Sequence, residues 1–452
     1  MPRRLSLVLA AALVAGCRSD PPPPGSAPGS GSGDTITGRE RIGWTQTAAN
    51  PAELATLRYA IYVDGARSEL AGASCSPVPV EGGFDCSGQL PSMSPGTHAL
   101  QLAAFTDAGE SQRSSPLSVT VAGVAAPAPA NPLVDGERVT TEDGVTLSTE
   151  LVAEGFADVV DLALASDGRL VVAERSGWIY VVAPGEGSPD GLPSSTIPEG
   201  TLLTLALSPD FARSGHLFVI SSSQGAFRLS RHRLFESQLI ERMHVLPDIP
   251  AAAQPSAVLR FGPDGKLYAA FDDGGSQDAA ARLSDWRGKL LRLNPDGSTP
   301  DDQPAASPVF WSGLAVPRGL DWSPEGLLWM AELGADRVER IRALVTTGSR
   351  PRRAGQRASY VLPGSVGATS VAFHRGDSVR QFRGNMFIAA RDAAYLLRVR
   401  FDEQERTRAL ATEKMLEGRI GTARAVQAAA DGSLYVATES AVWRLAPVKE
   451  RE

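Results

Sequence analysis

Residues 262–273, GPDGKLYAAFDD, contain a tight Asp-Gly turn followed by a strongly apolar strand. The same form returns in ASDGRLVVAER (165–175), SPEGLLWMAEL (323–333) and AADGSLYVATE (429–439), with looser copies in SPDFARSGHLFVIS (208–221) and RQFRGNMFIAAR (380–391). Six copies spaced roughly 45–60 residues apart match the blade period of a β-propeller better than any helical repeat. We therefore predict an all-β chain in which residues 145–448 form one six-bladed propeller.

The repeat also predicts where each turn lies within a blade. We expect the turn to join the outer part of a blade to an inner strand that lines a central channel. The loops at one end of that channel are then expected to form the binding surface.

A second, smaller unit precedes the repeats, over residues 43–121. LRYAIYVDGAR (57–67) alternates in polarity and then turns at Asp64-Gly65, which is a strong hairpin signal. GTHALQLAAFTDAG (96–109) and SPLSVTV (115–121) continue the pattern of short strands, which predicts a β-sandwich. The succession resembles a fibronectin type III domain, for which we expect a spacer or interaction role, and residues 122–144 form a Pro/Ala linker.

The N-terminal residues MPRRLSLVLAAALVAGC (1–17) place a short apolar run behind two arginines. This pattern is typical of a secretory signal rather than of a spanning helix. Its last residues resemble the lipobox of bacterial lipoproteins, which implies lipidation of Cys17; the alternative is an ordinary cleaved signal. Acyl chains would anchor the chain firmly, because each buried methylene adds about 0.8 kcal/mol.

Residues 18–42 begin with a Pro-, Gly- and Ser-rich stretch that cannot bury a core. We interpret this segment as a tether between the lipid and the folded units. The protein is thus expected to be exported and lipid-anchored to the bacterial cell envelope, at the outer membrane if the organism has one.

Two cysteines remain once Cys17 is assigned to lipid. Cys75 and Cys86 form an even pair in an exported chain, which favours a disulfide over two free buried thiols. Their spacing does not fit a CxxC metal motif.

Charge argues against a nucleic-acid partner. The chain has 44 Lys and Arg against 51 Asp and Glu, a formal net charge of −7. A phosphate backbone requires a clustered basic surface, which this composition does not predict.

Four stretches carry a family resemblance: LLTLALSPDF (202–211), LRFGPDGKLYAAFDDGG (259–275), RGKLLRLNPDGSTPDDQP (287–304) and FWSGLAVPRGLDWSPEG (310–326). They resemble the glucose/sorbosone dehydrogenases, six-bladed propellers that oxidise aldoses with pyrroloquinoline quinone (PQQ). The resemblance implies PQQ, an anionic quinone that accepts hydride, together with Ca²⁺, cationic side chains and a His that removes the hydroxyl proton.

Three loops depart from the family pattern. Gln254 stands at the position of the family's His, with Ser256-Ala257 at a Gly pair. Ala315 and Val316 replace the Arg and Asn of a GxRNPxG loop that here reads Gly313 to Gly319. Leu333 replaces a further His, while Glu332 and Gly334 are retained. Gln has no proton that titrates in the working range, so we expect it to orient a hydroxyl without acting as a base. The mouth is accordingly expected to be apolar where the cofactor calls for cations.

Polar residues near the expected mouth are the candidates for contacting a cofactor or ligand. Each of them has a second interpretation, as a turn or cap residue at the end of a strand. The five His residues offer few substitutes for a base, and His244 is the nearest in sequence. The candidates are Arg175, Glu199, Gln254, Asp272, Asp273, Arg318 and Glu332.

Two functions follow. The first is a membrane-anchored propeller that has lost the quinone chemistry and binds a sugar, a glycan or a protein at its mouth. The alternative is an active PQQ-dependent aldose or polyol dehydrogenase with a rearranged site, since a fold does not fix a function.

Overall fold

The computed structural model describes most of the chain in detail. Two predicted sites, the lipidation site Cys17 and the candidate Glu199, lie outside the described residues. The described residues are 4–8, 34–36, 41–70, 73–80, 82–90, 96–106, 109–121, 129, 131–183, 193–197, 200–236, 238–303, 307–344, 352–353, 360–363 and 366–448.

The chain divides into two compact units. The first contains Met1–Ala125 together with Ala252–Gln254, and the second contains Ala126–Ala251 and Pro255–Glu452. Within the described part of the chain, no helix is both long and apolar enough to cross a membrane.

The first unit contains two mainly antiparallel sheets. One has the order β1 (Arg4–Val8), β3 (Arg41–Gln46), β7 (Gly83–Gln89), β6 (Ser74–Val80). The other has the order β2 (Asp34–Ile36), β10 (Leu117–Val121), β8 (Gly96–Thr106), β4 (Arg58–Val63), β5 (Ala66–Glu69). Strand β9 (Gly109–Glu110) pairs with β8, and a short helix, α1 (Pro51–Leu54), precedes β4.

One core lies between these sheets and makes the unit a β-sandwich, as predicted. Trp44 and Phe84 from one sheet pack with Ile61 and Leu102 from the other. The two strands that carry Cys75 and Cys86 place them opposite each other, and a disulfide joins them, which confirms that prediction. The likeness to fibronectin type III domains stays a prediction.

The second unit is built from six sheets, the blades, which confirms the predicted propeller. From the inner strand outward, blade 1 contains β13 (Val159–Leu164), β14 (Leu170–Glu174), β15 (Trp178–Val182) and β16 (Pro193–Thr196), and blade 2 contains β17 (Thr201–Leu207), β18 (His216–Ser223), β19 (Ala226–Phe235) and β20 (Gln238–His244), with β21 (Ile249–Pro250) beside β19. Blade 3 contains β22 (Ala257–Phe261), β23 (Leu267–Phe271), β24 (Lys289–Leu293), β25 (Val309–Ser312) and β29 (Arg352–Arg353), and blade 4 contains β26 (Val316–Trp322), β27 (Leu328–Leu333), β28 (Glu339–Ala343) and β30 (Tyr360–Val361). Blade 5 contains β31 (Ala368–Phe373), β32 (Met386–Ala390), β33 (Tyr395–Phe401) and β34 (Ala409–Met415), and blade 6 contains β35 (Ala423–Ala428), β36 (Leu434–Thr438), β37 (Ala441–Pro447), β12 (Thr146–Glu154) and β11 (Arg138–Thr140).

The six inner strands form a closed ring. Each one contacts the next, from β13 through β17, β22, β26 and β31 to β35, and β35 returns to β13. Blade 6 completes the circle because β12, from the beginning of the propeller, pairs with β37 from its end. Strand β11 and part of β12 extend this sheet, so the C-terminal part of the predicted linker is structured.

The repeated turns lie at a different place from the predicted one. The turn of residues 165–169 joins β13 to β14, and the corresponding turns of the other blades likewise join the inner strand to the second strand. The apolar strand in each copy is therefore the second strand of a blade, packed on both faces, which explains its continuous hydrophobicity. Two short helices, α2 (Phe211–Ser214) and α3 (Gln277–Ala281), and a 3-10 turn (Arg380–Phe382) complete the unit.

Candidate functional site at the channel mouth

All six inner strands begin at one end of the central channel, which we call the mouth. Hydrogen bonds join the first residues of neighbouring inner strands there. The hydroxyl of Thr369 donates to the carbonyl of Ala423 (3.3 Å), and the hydroxyl of Ser256 donates to the carbonyl of Pro317 (2.6 Å). The beginnings of β22, β26, β31 and β35 therefore share one rim.

The turns that follow the second strands reach the same rim. The amide of Arg175 donates to the carbonyl of Asp158 (2.9 Å), and the amide of Asp272 donates to that of Ser256 (3.0 Å). In both pairs the acceptor lies just before an inner strand. The structure therefore places Arg175 and Asp272 at the rim of the mouth.

Bulges interrupt five of the six inner strands close to the mouth. In each, the register with the second strand shifts and leaves one residue without an opposite partner: Val160, Leu203, Arg318, Thr369 and Arg424. Each of these residues is half-buried, while the residues on either side of it are buried. A bulge re-aims the side chain of its extra residue. Val160 and Leu203 pack against apolar clusters, whereas Arg318, Thr369 and Arg424 bring polar groups to the rim.

Arg318 is a cation without an acceptor among the described residues. Its Nε is buried and has no hydrogen-bond partner, and its guanidinium forms no ion pair within the described part of the chain. Burial lowers the pKa of Arg318, and the positive charge of Arg391 lowers it further, whereas Glu339, Asp392 and Asp272 act in the opposite direction.

Two of the carboxylates around Arg318 are engaged elsewhere. Glu339 accepts hydrogen bonds from the amides of residues 366, 367 and 368, at 2.7–2.9 Å, and so fixes the beginning of β31. Asp392 pairs with Arg391 at 2.7 Å. The charge of Arg318 is therefore left for the channel.

Arg424, the other bulged cation, is paired. Its guanidinium lies 3.2 Å from a carboxylate oxygen of Asp158 and 3.2 Å from one of Glu439. Asp158 also accepts a hydrogen bond of 2.7 Å from Arg175. This group of four charges is balanced, and it holds the beginning of blade 1 against that of blade 6.

Asp272 and Asp273 are buried carboxyls at the mouth of blade 3. Asp272 accepts hydrogen bonds from the amides of Ser256 and Gly274, and Asp273 accepts one from the amide of Gly275 at 2.8 Å. Burial raises the pKa of Asp272 to about 7 and also raises that of Asp273. Asp272 is thus a group that changes charge near neutral pH, next to Arg318.

Two other candidates are placed differently. Glu332 forms a buried ion pair with Arg342 on the neighbouring strand of blade 4, and burial raises the pKa of Glu332. It acts as a structural residue of the blade. Gln254 is exposed, and it is grouped with the first compact unit.

The loop from Gly313 to Gly319 is apolar where the resemblance implies Arg and Asn. Leu314 is fully buried and packs with Trp311 and Leu320, and Ala315 is 8% exposed. The backbone of the loop is fixed as well, because the carbonyl of Ala315 accepts a hydrogen bond from the amide of Asp273 (3.0 Å). Two guanidiniums, those of Arg318 and Arg424, lie at the beginnings of β26 and β35 beside this apolar loop and the rim. The expectation of an apolar cofactor site stays a prediction.

The two central histidines of the blades are structural. His374 is fully buried, with Nε2 3.2 Å from the carbonyl of Gly432, and the Nε2 of His232 lies 2.9 Å from the hydroxyl of Ser230. Burial lowers the pKa of both, for His232 to about 4. His244 lines an open cavity of about 760 Å³ at the mouth-side end of blade 2, together with Gly200, which precedes β17, and Ser223, which ends β18.

Among the described residues, no three side chains of the His, Cys, Asp and Glu types lie close enough together to hold an ion.

The family model for glucose/sorbosone dehydrogenases matches residues 156–349 and 344–446, which is the propeller almost from end to end. The chain belongs to this family. It is 24% identical over 352 residues to the aldose sugar dehydrogenase YliI of Escherichia coli K12, covering 68% of this chain and 94% of that protein.

Solved structures agree with this assignment. An oxidoreductase (glucose dehydrogenase) from Thermus thermophilus is 27% identical with a TM-score of 0.56, covering 66% of this chain and 99% of that one. The PQQ-bound aldose sugar dehydrogenase of Streptomyces coelicolor is 24% identical with a TM-score of 0.55, covering 66% and 98%; at this identity it supports the fold alone.

Proposed function

We propose that the propeller binds a sugar-class ligand at its channel mouth and does not oxidise it with a quinone. Membership of a family of sugar dehydrogenases supports the ligand class. The loop from Gly313 to Gly319 carries the rest of the proposal. Ala315 is buried and Val316 is half-buried at the positions of the family's Arg and Asn, and neither can supply a charge or a hydrogen-bonding side chain to a cofactor.

PQQ fits the side chains of the mouth only in part. Arg318 could bind one carboxylate of the cofactor. The proton-accepting His that the resemblance implies is replaced by Gln254, which has no titratable proton, and His232 and His374 are buried. The described residues also offer no cluster for the family's Ca²⁺. We therefore derive no oxidation step.

A titration tests this proposal. The purified full-length chain is mixed with PQQ and Ca²⁺, and sugar-dependent dye reduction is measured beside calorimetric titrations with aldoses. We expect sugar binding without turnover. Loss of the general base lowers the rate of sugar oxidation by about 10²–10⁴. Residual dye reduction that is slower than that of an active family member by this factor would therefore agree with the proposal. Turnover at the rate of an active member would overturn it.

One observation favours the second candidate function, an active quinoprotein. The mouth is cationic, with Arg318 unpaired, and buried Asp272 has a pKa near that of a working base. Turnover in the titration above that disappears in Asp272→Asn would establish this alternative.

The location of the protein is a separate proposal. We infer that Cys17 carries a lipid and that residues 18–42 tether the folded units to the cell envelope. The support is the sequence alone. Mass spectrometry of the N-terminal peptide, and the distribution of Cys17→Ala between membrane and soluble fractions, test it. Equal retention of both proteins in the membrane fraction would contradict the lipid anchor.

A further inference from the structure

We propose that Arg318 makes the channel mouth selective for ligands that carry a carboxylate, namely sugar acids or glycans with uronic acid units. This inference rests on the proposed function and narrows its ligand class. It assigns the recognition of the ligand's negative charge to one residue, Arg318, at the mouth.

The first step is the orientation of Arg318. It is the extra residue of the bulge in β26, and the residues before and after it, Pro317 and Gly319, are buried. Gly319 lies so close to β31 that an added Cβ would come within 2.8 Å of the amide nitrogen of Val371. The strand is therefore held in place beside the bulge, and the half-buried side chain of Arg318 lies at the rim of the mouth.

The second step is the charge of Arg318. A guanidinium shielded from water loses its hydration, and this is unfavourable unless an anion takes the place of the water. Glu339 holds three backbone amides and Asp392 holds Arg391, so neither is released to serve Arg318. An anionic group from outside would complete the site.

The third step is the chemistry of that anion. A guanidinium presents parallel N–H donors that match the two oxygens of a carboxylate, and such bidentate pairs are stronger than neutral hydrogen bonds. Arg424 does not compete for the ligand, because Asp158 and Glu439 already balance it. Among the described residues of the rim, Arg318 is therefore the guanidinium without an ion-pair partner, whereas Arg424 has two, and Arg318 favours a ligand with a single negative charge.

Calorimetry on the full-length chain tests the proposal. The probes are glucuronate and galacturonate, each compared with glucose or galactose, and the proteins are wild type, Arg318→Gln and Arg213→Gln. The control removes the same charge from an exposed arginine in α2, between the first and second strands of blade 2. Thermal unfolding shows whether Arg318→Gln folds; if it does not, Arg318→Lys takes its place, because it keeps a point charge and loses the bidentate geometry.

We expect the uronates to bind wild type more tightly than the neutral sugars, and Arg318→Gln to weaken only the uronates, by about tenfold to a hundredfold. Arg213→Gln should bind like wild type. Neutral sugars that bind as well as the uronates, or uronate binding unchanged in Arg318→Gln, would overturn the inference and leave the proposed function intact. Failure of every sugar to bind would overturn both, and PQQ-dependent turnover would overturn the proposed function alone.

Discussion

Arg260 donates hydrogen bonds of 2.8 and 3.0 Å to the two carboxylate oxygens of Asp161, and so links the inner strand of blade 3 to that of blade 1. Thr204, on the intervening inner strand, donates to the same carboxylate at 2.7 Å. The side chains of Arg260 and Asp161 are 14% and 5% exposed. Three blades therefore meet at one buried carboxylate within the ring.

Replacing Arg260 by Met should strongly destabilise the propeller. It leaves the charge of Asp161 buried with its main partner gone, and breaking a buried pair in this way costs about 3–5 kcal/mol. Urea unfolding would measure the loss. Asp161→Asn combined with Arg260→Met should recover part of it, because the unpaired charge is removed. Arg213→Met, at an exposed ion pair, is the control and should change the free energy of unfolding by about 0–1 kcal/mol. An equal effect of Arg260→Met and Arg213→Met would contradict this role.

Binding of an anionic ligand should weaken as the pH rises through about 7. Burial raises the pKa of Asp272 to about 7, so this carboxyl is mostly neutral below that pH and negative above it. The new negative charge would offset the charge of Arg318 and repel a carboxylate. Uronate affinity measured between pH 5.5 and 8.5 should therefore fall in wild type and vary less in Asp272→Asn. Asp278→Asn, at an exposed carboxylate, should keep the wild-type profile; a flat wild-type profile would rule the effect out.

The number of blades was predictable because each second strand is mostly buried and, in four of the six blades, follows a tight turn. The local pattern of one blade thus repeats along the chain without any long-range information. The shape of the mouth was not predictable in this way. A bulge depends on how two strands align, and a shift of one residue turns a side chain such as Arg318 from one face to the other.

Some of the site residues could have been found, however. Arg424 stands between Ala423 and Ala425 at the beginning of an inner strand, as Arg318 stands between Pro317 and Gly319. A polar residue flanked by small or cyclic residues at this position is the signal that the sequence offered. The ion pair between Glu332 and Arg342 could not be predicted, because the two residues lie on neighbouring strands and only the folded blade brings them together.

Arg398 should be essential for the stability of blade 5. It is fully buried and donates to Asp143, Glu413 and Asn385, and its hydrogen bonds lower the pKa of Asp143 to about 2. Because this pKa is lowered on folding, the pair stabilises the protein above the unfolded pKa near 4, and the contribution is lost as the pH falls through about 2. Arg398→Met should cost about 3–5 kcal/mol at pH 7. The free energy of unfolding, measured at pH 7, 4 and 2.5, should fall less on acidification in Arg398→Met than in wild type. An equal fall in both proteins would show that other groups cause the acid dependence.

The disulfide between Cys75 and Cys86 should stabilise the β-sandwich. Its sulfur atoms contact the core of that unit, because the hydroxyl of Tyr59 lies 3.4 Å from Sγ of Cys75 and 3.7 Å from Sγ of Cys86. Closing a loop of this size restricts the unfolded chain, which is worth about 2–3 kcal/mol. Hydrogen exchange of the double variant Cys75→Ala/Cys86→Ala, read by mass spectrometry, should show faster exchange in peptides from residues 41–121. Peptides from the second strands of the blades serve as the internal control and should keep their protection. Wild type treated with a reductant should reproduce the variant, and equal protection of the sandwich with and without the bond would show that it contributes nothing to stability.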